Sequence, residues 1–192
     1  MIRVGIIGCG SIAIHRHIPE YAANENCILA GYCDTVAGRA QKMADQYGGK
    51  VYNSIEALLA DDSIDAVSVC TSNKYHAPVT IAALKAGKHV LCEKPMATSV
   101  REAQEMLDCA KATGKFLMVG HNQRLADAHR RARQILDSGE LGRILTFRTT
   151  FAHGGPETWS QDKGNNTWFF KSADAFMGAT FDLGIHKVDL IR

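Results

Sequence analysis

The first residues able to do chemistry form a short glycine-rich motif near the start of the chain. Gly8, Gly10 and Ala13 fit the pattern G-x-G-x-x-A, which follows an apolar run and opens a helical pattern. In such a motif the first glycine allows a tight turn, the second lets the backbone approach a pyrophosphate, and the third small residue lets the helix pack close to the strand. Because free N–H groups at the helix start would face two phosphates, the motif predicts a dinucleotide site that includes Ser11 and Ile12.

An acidic residue stands where such a motif requires one, about twenty residues further on. Asp34 ends a strand-like run over residues 28–33, and its carboxylate there can accept both hydroxyls of an adenosine ribose and repel a 2′-phosphate. We therefore expect NAD rather than NADP. Arg39, a turn into the next helix, leaves the use of both cofactors open, and an ordinary helix-capping role for Asp34 is the alternative.

Two ionisable residues near the other end of the chain have the spacing of neighbours on one helical face. Asp182 and His186 are four residues apart at the start of a predicted helix. Histidine titrates near neutral pH and can take the proton of a hydroxyl group, while a carboxylate can orient it or bind a neighbouring hydroxyl. The pair predicts general acid–base chemistry, although a histidine in an apolar helix is often structural.

Two other patterns in the sequence do not predict a functional site. The pair His15-x-His17 predicts no metal site, because residues two apart on a helix point in different directions and no third ligand is near. The cysteines include no C-x-x-C pair, and we interpret Cys9 as a small residue rather than a nucleophile.

Apolar runs alternate with helical patterns through the first 121 residues, which predicts a parallel sheet with crossover helices. The predicted strands are residues 2–7, 28–33, 51–52, 65–70, 89–92 and 116–119. Helices are expected over residues 11–18, 36–47, 54–60, 76–86 and 99–113, with Pro19 kinking or ending the first. These elements predict an α/β fold, a doubly wound parallel Rossmann sheet of six strands in a domain over residues 1–121.

Residues 122–192 differ in character. We expect a basic amphipathic helix over 125–136, a strand of a new sheet over 144–151, a loop over 153–171 and a last helix from Asp182. Because a single strand cannot bury a core of its own, we expect this part to be the beginning of a larger α+β open-sheet domain, incomplete in this chain.

Composition excludes several classes of partner. The 22 basic and 20 acidic residues leave a formal charge of +2, which gives no electrostatic case for nucleic acid or an anionic membrane. No apolar run approaches the roughly 18 residues of a membrane span, and the first strand follows directly on Met1 without a charged leader. We expect a reduced, soluble, cytoplasmic protein.

With these motifs in place, the chain resembles the glucose-fructose oxidoreductase / inositol dehydrogenase / MocA (Gfo/Idh/MocA) family of sugar and polyol dehydrogenases. Matching features follow the family's order along essentially all 192 residues. They are the glycine motif, Asp34, the loop 71–76, Glu93-Lys94-Pro95, Asn122-Gln123-Arg124 and Asp182-x-x-x-His186. The resemblance implies NAD-dependent transfer of a hydride to or from a secondary hydroxyl of a sugar, polyol or related cyclic compound. Family members are generally longer than this chain, and their homo-oligomers are usually built on the C-terminal sheet.

The resemblance also implies roles for single residues. Lys94 would donate a hydrogen bond to the reacting oxygen or help accept its proton, His186 would be the general acid/base, and Asp182 would orient the substrate. Glu93 would contact the cofactor or hold Lys94 in place. The cofactor would also be lined by Thr71, Asn73, His76 and Asn122, and the substrate by Arg124, His153 and Trp168. For His76 the alternative is a solvent-facing residue in the first turn of a helix.

Three other functions stay open. The first is transient oxidation by bound NAD during epimerisation or glycoside cleavage. The second is a catalytically silent NAD-binding protein. The third is a methyltransferase that binds S-adenosylmethionine through the same glycine turn, against which the motifs at Lys94 and His186 argue.

Overall fold

The computed structural model describes residues 1–192, apart from the side chain of Ala37. Its centre is a parallel sheet of six strands in the order β3-β2-β1-β4-β5-β6. The strands are β1 (Ile2–Ile7), β2 (Cys27–Cys33), β3 (Lys50–Val51), β4 (Ala66–Val69), β5 (His89–Cys92) and β6 (Leu117–Val119). The strand order reverses between β1 and β4, as in doubly wound folds, so the α/β prediction is confirmed.

Helices connect the strands and continue into the last third of the chain. They are α1 (Ile18–Ala22), α2 (Ala37–Tyr47), α3 (Ile55–Leu59), α4 (His76–Lys85), α5 (Val100–Thr113), α6 (Asp127–Ser138), α7 (Ser172–Ala175) and α8 (Ile185–Ile191). Ser54 and Ser99 cap α3 and α5, each accepting a backbone N–H with its side chain. None of the helices in the described residues has the length and apolar character needed to cross a bilayer.

The core lies on both faces of the sheet. Ile6 and Ile7 are neighbours on β1, but they belong to two different clusters of buried apolar side chains. Successive side chains of a strand point to opposite faces, so each cluster fills the space between one face and the helices that cover it. This packing fixes the carboxyl ends of the strands relative to one another.

The first helix does not end at Pro19. Before it, Ala13–His17 forms a π-helical turn in which the N–H of Ile18 donates to the carbonyl of Ala13. The chain then continues as α1 through the proline to Ala22. Proline lacks an N–H and is tolerated in the first turn of a helix, which is where the wide turn places it. The interruption that Pro19 predicts is therefore a wide turn before the proline and not a helix end.

Residues 144–151 do not form the strand that their alternation predicts. These residues are exposed and have no regular secondary structure. A strand requires hydrogen bonds to a neighbouring strand, and every strand in the described part of the chain belongs to the single sheet. The β-branched and aromatic composition of this segment therefore does not suffice to form a strand.

Two glycines of the first motif have different reasons to be glycine. Gly8 has a φ of +91°, and a Cβ added there would lie 2.7 Å from the carbonyl oxygen of Cys70 at the end of β4. Around Gly10 nothing lies within 4 Å of the corresponding position. Position 8 therefore needs glycine for the fold itself, whereas a side chain at position 10 would only fill open space.

We predict that Gly8→Ala lowers the free energy of unfolding by about 2 kcal/mol or more, because the new methyl group meets the backbone of β4 and the positive φ disfavours alanine. Denaturant unfolding followed by circular dichroism measures this difference. Gly10→Ala is the matched control and should unfold at nearly the wild-type concentration. Equal stability of the two variants would contradict the close approach of β1 and β4.

Candidate active site

A cavity of about 420 Å³ lies at the carboxyl ends of the central strands, beside the point where the strand order reverses. Ligands bind at this position in doubly wound sheets. The predicted site residues that line the cavity are Gly10, Ser11, Ile12, Arg39, Thr71, Asn73, His76, Glu93, Lys94, Asn122, His153, Trp168, Asp182 and His186. Residues far apart in the sequence are therefore brought together in one place.

The end of the cavity at the glycine turn fits a dinucleotide. The space in front of Gly10 is open, so the backbone there can be approached closely by a phosphate. At the end of β4, the hydroxyl of Thr71 is buried and has no hydrogen-bond partner among the described residues. Because a buried polar atom normally has a partner, this hydroxyl is available to a ligand. The residues present thus fit NAD.

Asp34 braces the glycine turn from a position next to the cavity. Its Oδ2 accepts the N–H of Cys9 at 2.7 Å, and its Oδ1 accepts the N–H of Val36 at 2.7 Å. The second contact closes a turn before α2 and is not a helix cap, because the N-cap residue of α2 is Val36, which makes no side-chain capping hydrogen bond. The first contact fixes the glycine turn to the end of β2. Each carboxylate oxygen retains a further lone pair, so the predicted contact with a ribose remains chemically open.

The loop over residues 153–171 lies across the cavity at the glycine-turn end. Arg39 Nη2 donates to Asp162 Oδ1 at 2.6 Å, and Ser11 Oγ donates to the carbonyl of Trp159 at 3.0 Å. The Arg39 guanidinium, which could take a 2′-phosphate, is thus directed to a carboxylate of this loop instead.

Lys94 and Asp182 form an ion pair at the opposite end of the cavity. The Lys94 ammonium donates to Asp182 Oδ1 at 2.5 Å and to the Asp182 carbonyl at 3.1 Å. Both side chains are 16% exposed. An ammonium group has three donors, so one N–H of Lys94 remains for another acceptor.

His186 lies on the same wall, one turn after Asp182. Its ring is buried against Phe151, edge to face, with centroids 5.5 Å apart, and its Nδ1 has no partner among the described residues. Burial, and then the positive charge of Lys94, lower the pKa of His186 from 6.5 to about 4. This is lower than the near-neutral value that the residue type alone suggests. The ring is therefore neutral at pH 7 and can accept a proton.

His76 and Asn73 belong to the wall of the cavity through hydrogen bonds of their own. The two ring nitrogens of His76 lie 2.6 Å from the carbonyl of Pro95 and 3.1 Å from the carbonyl of Thr71. Asn73 donates to the carbonyl of Ala175 at 3.1 Å. His76 is 1% exposed, so the alternative of a solvent-facing residue is wrong.

The sequence analysis did not select Phe151, Trp159 and Phe169, which line the cavity between the predicted residues. They connect His186 at one end of a row of rings with Trp168 at the other. Adjacent ring centroids are 3.9 to 6.2 Å apart along the series His186, Phe151, His153, Trp159, Phe169 and Trp168. These rings form one continuous side of the cavity. The signal in the sequence was the density of aromatic residues in the loop over residues 153–171 and at the end of the predicted strand before it.

His17 is a further residue that the sequence analysis did not assign to the site. Its Nε2 lies 2.8 Å from Glu93 Oε1, while Glu93 Oε2 accepts the backbone N–H of Lys94 at 3.1 Å. Burial alone would raise the pKa of Glu93, but the hydrogen bond from His17 and the charge of Lys94 outweigh it, so this pKa lies below its ordinary value. The described residues contain no group of three or more His, Cys, Asp and Glu side chains suited to hold a metal ion.

Arg124 is not brought to the cluster around Lys94. Its Nε donates to Asp189 Oδ2 at 2.6 Å, and its Nη2 donates to the other oxygen of the same carboxylate. Both residues line a second cavity of about 620 Å³, which also borders Glu93 but does not include Lys94 or His186.

Two family models match the chain. The model described as "Oxidoreductase family, NAD-binding Rossmann fold" matches residues 2–121, and the model described as "GFO/IDH/MocA C-terminal domain" matches residues 129–192.

Similar proteins are known in several bacteria. A 1,5-anhydro-D-fructose reductase from Ensifer adhaerens is 35% identical over 193 residues, which cover 100% of this chain and 56% of that protein. A D-glucoside 3-dehydrogenase from Escherichia coli K12 is 34% identical over 98% of this chain and 52% of its own length. The crystal structure of a 3-ketoreductase from Actinomadura kijaniata with NADP has a TM-score of 0.70 and 35% identity, covering 74% of this chain and 46% of that chain. This chain therefore spans about half the length of the curated relatives that it matches.

We predict that Lys94→Met raises the pKa of His186 from about 4 toward the ordinary value of 6.5. Removing the ammonium removes a charge that disfavours the imidazolium and leaves the Asp182 carboxylate unpaired beside the ring. NMR titration of the histidine ring measures this pKa. Lys187→Met is the control, because that ammonium lies over the Phe151 ring and contacts Gln123 instead. An unchanged titration in Lys94→Met would contradict the charge coupling.

Proposed function

Because the chain belongs to the glucose-fructose oxidoreductase / inositol dehydrogenase / MocA family, we propose that the protein transfers a hydride between a secondary hydroxyl of a sugar, polyol or related cyclic compound and NAD. The observation that carries the proposal is the cluster of Lys94, Asp182 and His186 in the cavity whose other end is the glycine turn. We further propose a nucleotide-binding domain over residues 1–121 and the beginning of a domain for substrate and oligomer contacts over residues 122–192.

The chemistry divides between the cofactor and the chain. When bound, NAD supplies the hydride acceptor, so that oxidation of the carbinol carbon gives a carbonyl group and releases one proton. His186 takes this proton from the hydroxyl oxygen, since its ring is neutral at pH 7. Lys94 donates its remaining N–H to the same oxygen and stabilises the negative charge that develops there. Asp182 holds the ammonium in place and can accept a hydrogen bond from a neighbouring hydroxyl of the substrate.

The remaining predicted residues are proposed to bind the two ligands. The residues proposed for the cofactor are Gly8, Gly10, Ser11, Ile12, Ala13, Asp34, Thr71, Asn73, His76, Glu93 and Asn122, and those for the substrate rim are His153 and Trp168, without Arg124, which lines the second cavity. Two relatives named for an anhydrofructose and a glucoside support a sugar as the substrate class.

NAD is preferred over NADP in this proposal. Asp34 supplies a carboxylate beside the glycine turn, and the Arg39 guanidinium is paired with Asp162. The related 3-ketoreductase binds NADP. Because the Arg39 guanidinium can pair with a 2′-phosphate, NADP is proposed as a second cofactor.

Assembly and location follow as further proposals. Apolar side chains exposed on residues 144–151 support contacts with another surface, as in a homo-oligomer. The six cysteines are all free, which supports a reducing compartment and hence the cytoplasm.

We predict that Lys94→Ala lowers kcat by about a hundredfold or more, because the developing charge on the substrate oxygen loses its donor. The Kd for NAD should stay within a few-fold of the wild-type value. Formation of reduced nicotinamide is measured with a panel of substrates that includes myo-inositol and D-glucose. Lys74→Ala, which removes an ammonium paired with Asp174 outside the cavity, is the control. Unchanged turnover of Lys94→Ala would remove this residue from the mechanism.

We predict that Asp162→Ala raises the affinity for NADP relative to NAD by about three- to tenfold, since the freed guanidinium can pair with the 2′-phosphate. Calorimetric titration with each cofactor gives the ratio. The double variant Arg39→Ala/Asp162→Ala should lose the gain. An equal ratio in wild type and Asp162→Ala would show that the pair does not influence cofactor preference.

A further inference from the structure

A continuous series of hydrogen bonds reaches the active-site cavity from the interior of the sheet. Tyr21 Oη lies 2.8 Å from Ser68 Oγ, Ser68 Oγ lies 3.2 Å from His17 Nδ1, and His17 Nε2 lies 2.8 Å from Glu93 Oε1. Ser68 is 0% and His17 8% exposed. The four side chains come from three separate parts of the chain, and none of them is used by the proton transfer proposed above.

The hydrogen-bond inventory gives this series a direction. An ionised carboxylate only accepts, so His17 Nε2 must carry the hydrogen that points to Glu93. In a neutral imidazole the other nitrogen then accepts, and it can do so from the Ser68 hydroxyl. The Ser68 oxygen in turn accepts from the Tyr21 hydroxyl. Every member is satisfied with a neutral ring and a negatively charged Glu93 at the end of the series.

Glu93 is held where its charge acts on the cavity. Its two oxygens take hydrogen bonds from His17 and from the backbone of Lys94. A Cβ at Gly120 would lie 3.1 Å from Oε1, so a side chain at the neighbouring strand end would crowd the carboxylate. The Lys94 ammonium is itself paired with Asp182. The negative charge of Glu93 is therefore not neutralised by an ion pair with Lys94 and can still act on a ligand in the cavity.

The position of Glu93 at the end of β5 indicates which part of the cofactor it faces. In a doubly wound sheet the two nucleotide halves bind on either side of the reversal in strand order. The glycine turn and Asp34 belong to β1 and β2, which leaves β4 and β5 for the nicotinamide half. Glu93 follows β5 directly and lines the cavity together with Lys94.

We propose that His17 is a positioning residue that keeps Glu93 ionised beside the nicotinamide, and that it thereby makes the site bind oxidised NAD more tightly than reduced NAD. The inference rests on the proposed function. The oxidised ring carries a positive charge and the reduced ring is neutral, so a fixed carboxylate attracts only the oxidised form. At a separation of several ångströms in a partly buried site, one such charge corresponds to a preference of about tenfold or more.

The test measures the Kd of NAD+ and of NADH separately, by calorimetry and by nicotinamide fluorescence. His17→Leu removes the donor, and we expect it to weaken NAD+ binding about tenfold while NADH binding changes less than threefold. Glu93→Gln removes the charge at constant shape and should change the ratio in the same way. His17→Gln keeps a donor toward Glu93 and should restore most of the preference. Tyr21→Phe, at the far end of the series, is the matched control and should resemble the wild type.

The outcomes separate this inference from the proposed function. Parallel weakening of both cofactor forms in His17→Leu, or an unchanged ratio in Glu93→Gln, would overturn the role of His17. Should His17→Leu fail to fold, Glu93→Gln and His17→Gln still decide the question. A folded wild-type protein that binds neither NAD+ nor NADH would contradict the proposed function itself.

Discussion

The ion pair between Lys94 and Asp182 is the contact on which the site depends. It joins the end of β5 to a segment 88 residues further along the chain, and both side chains are largely withdrawn from water. Removal of one partner of a buried pair leaves an uncompensated charge, which destabilises proteins by about 3–5 kcal/mol. Because His186 follows Asp182 by one helical turn, the same pair sets the distance between the histidine and the sheet. The strand end and the last helix thus form one wall.

Charge within the cavity follows from these pairings. Lys94 and Asp182 neutralise each other, and His186 is neutral because burial and Lys94 lower its pKa. Glu93 stays ionised despite its burial, since its hydrogen bonds outweigh desolvation. The wall opposite the glycine turn therefore has a net negative character, which suits a cationic ring more than a neutral one.

The sequence was most informative where local pattern and global fold agree. Alternation of apolar runs and helical patterns predicted the sheet, and the serine caps of α3 and α5 are local enough to be found from the sequence. The prediction of a strand over residues 144–151 was wrong, because a strand needs a neighbouring strand as its hydrogen-bond partner and no local pattern reveals one. His17 was missed for the same kind of reason, since its contact with Glu93 spans 76 residues.

The wide turn at Ala13–His17 has a consequence for how this helix tolerates change in length. A π-helical turn holds one residue more than a regular turn within nearly the same rise, so the surplus residue is absorbed locally and the helix on either side keeps its phase. Loss of one residue within the turn would convert it to regular pitch without displacing Pro19 or the helix beyond.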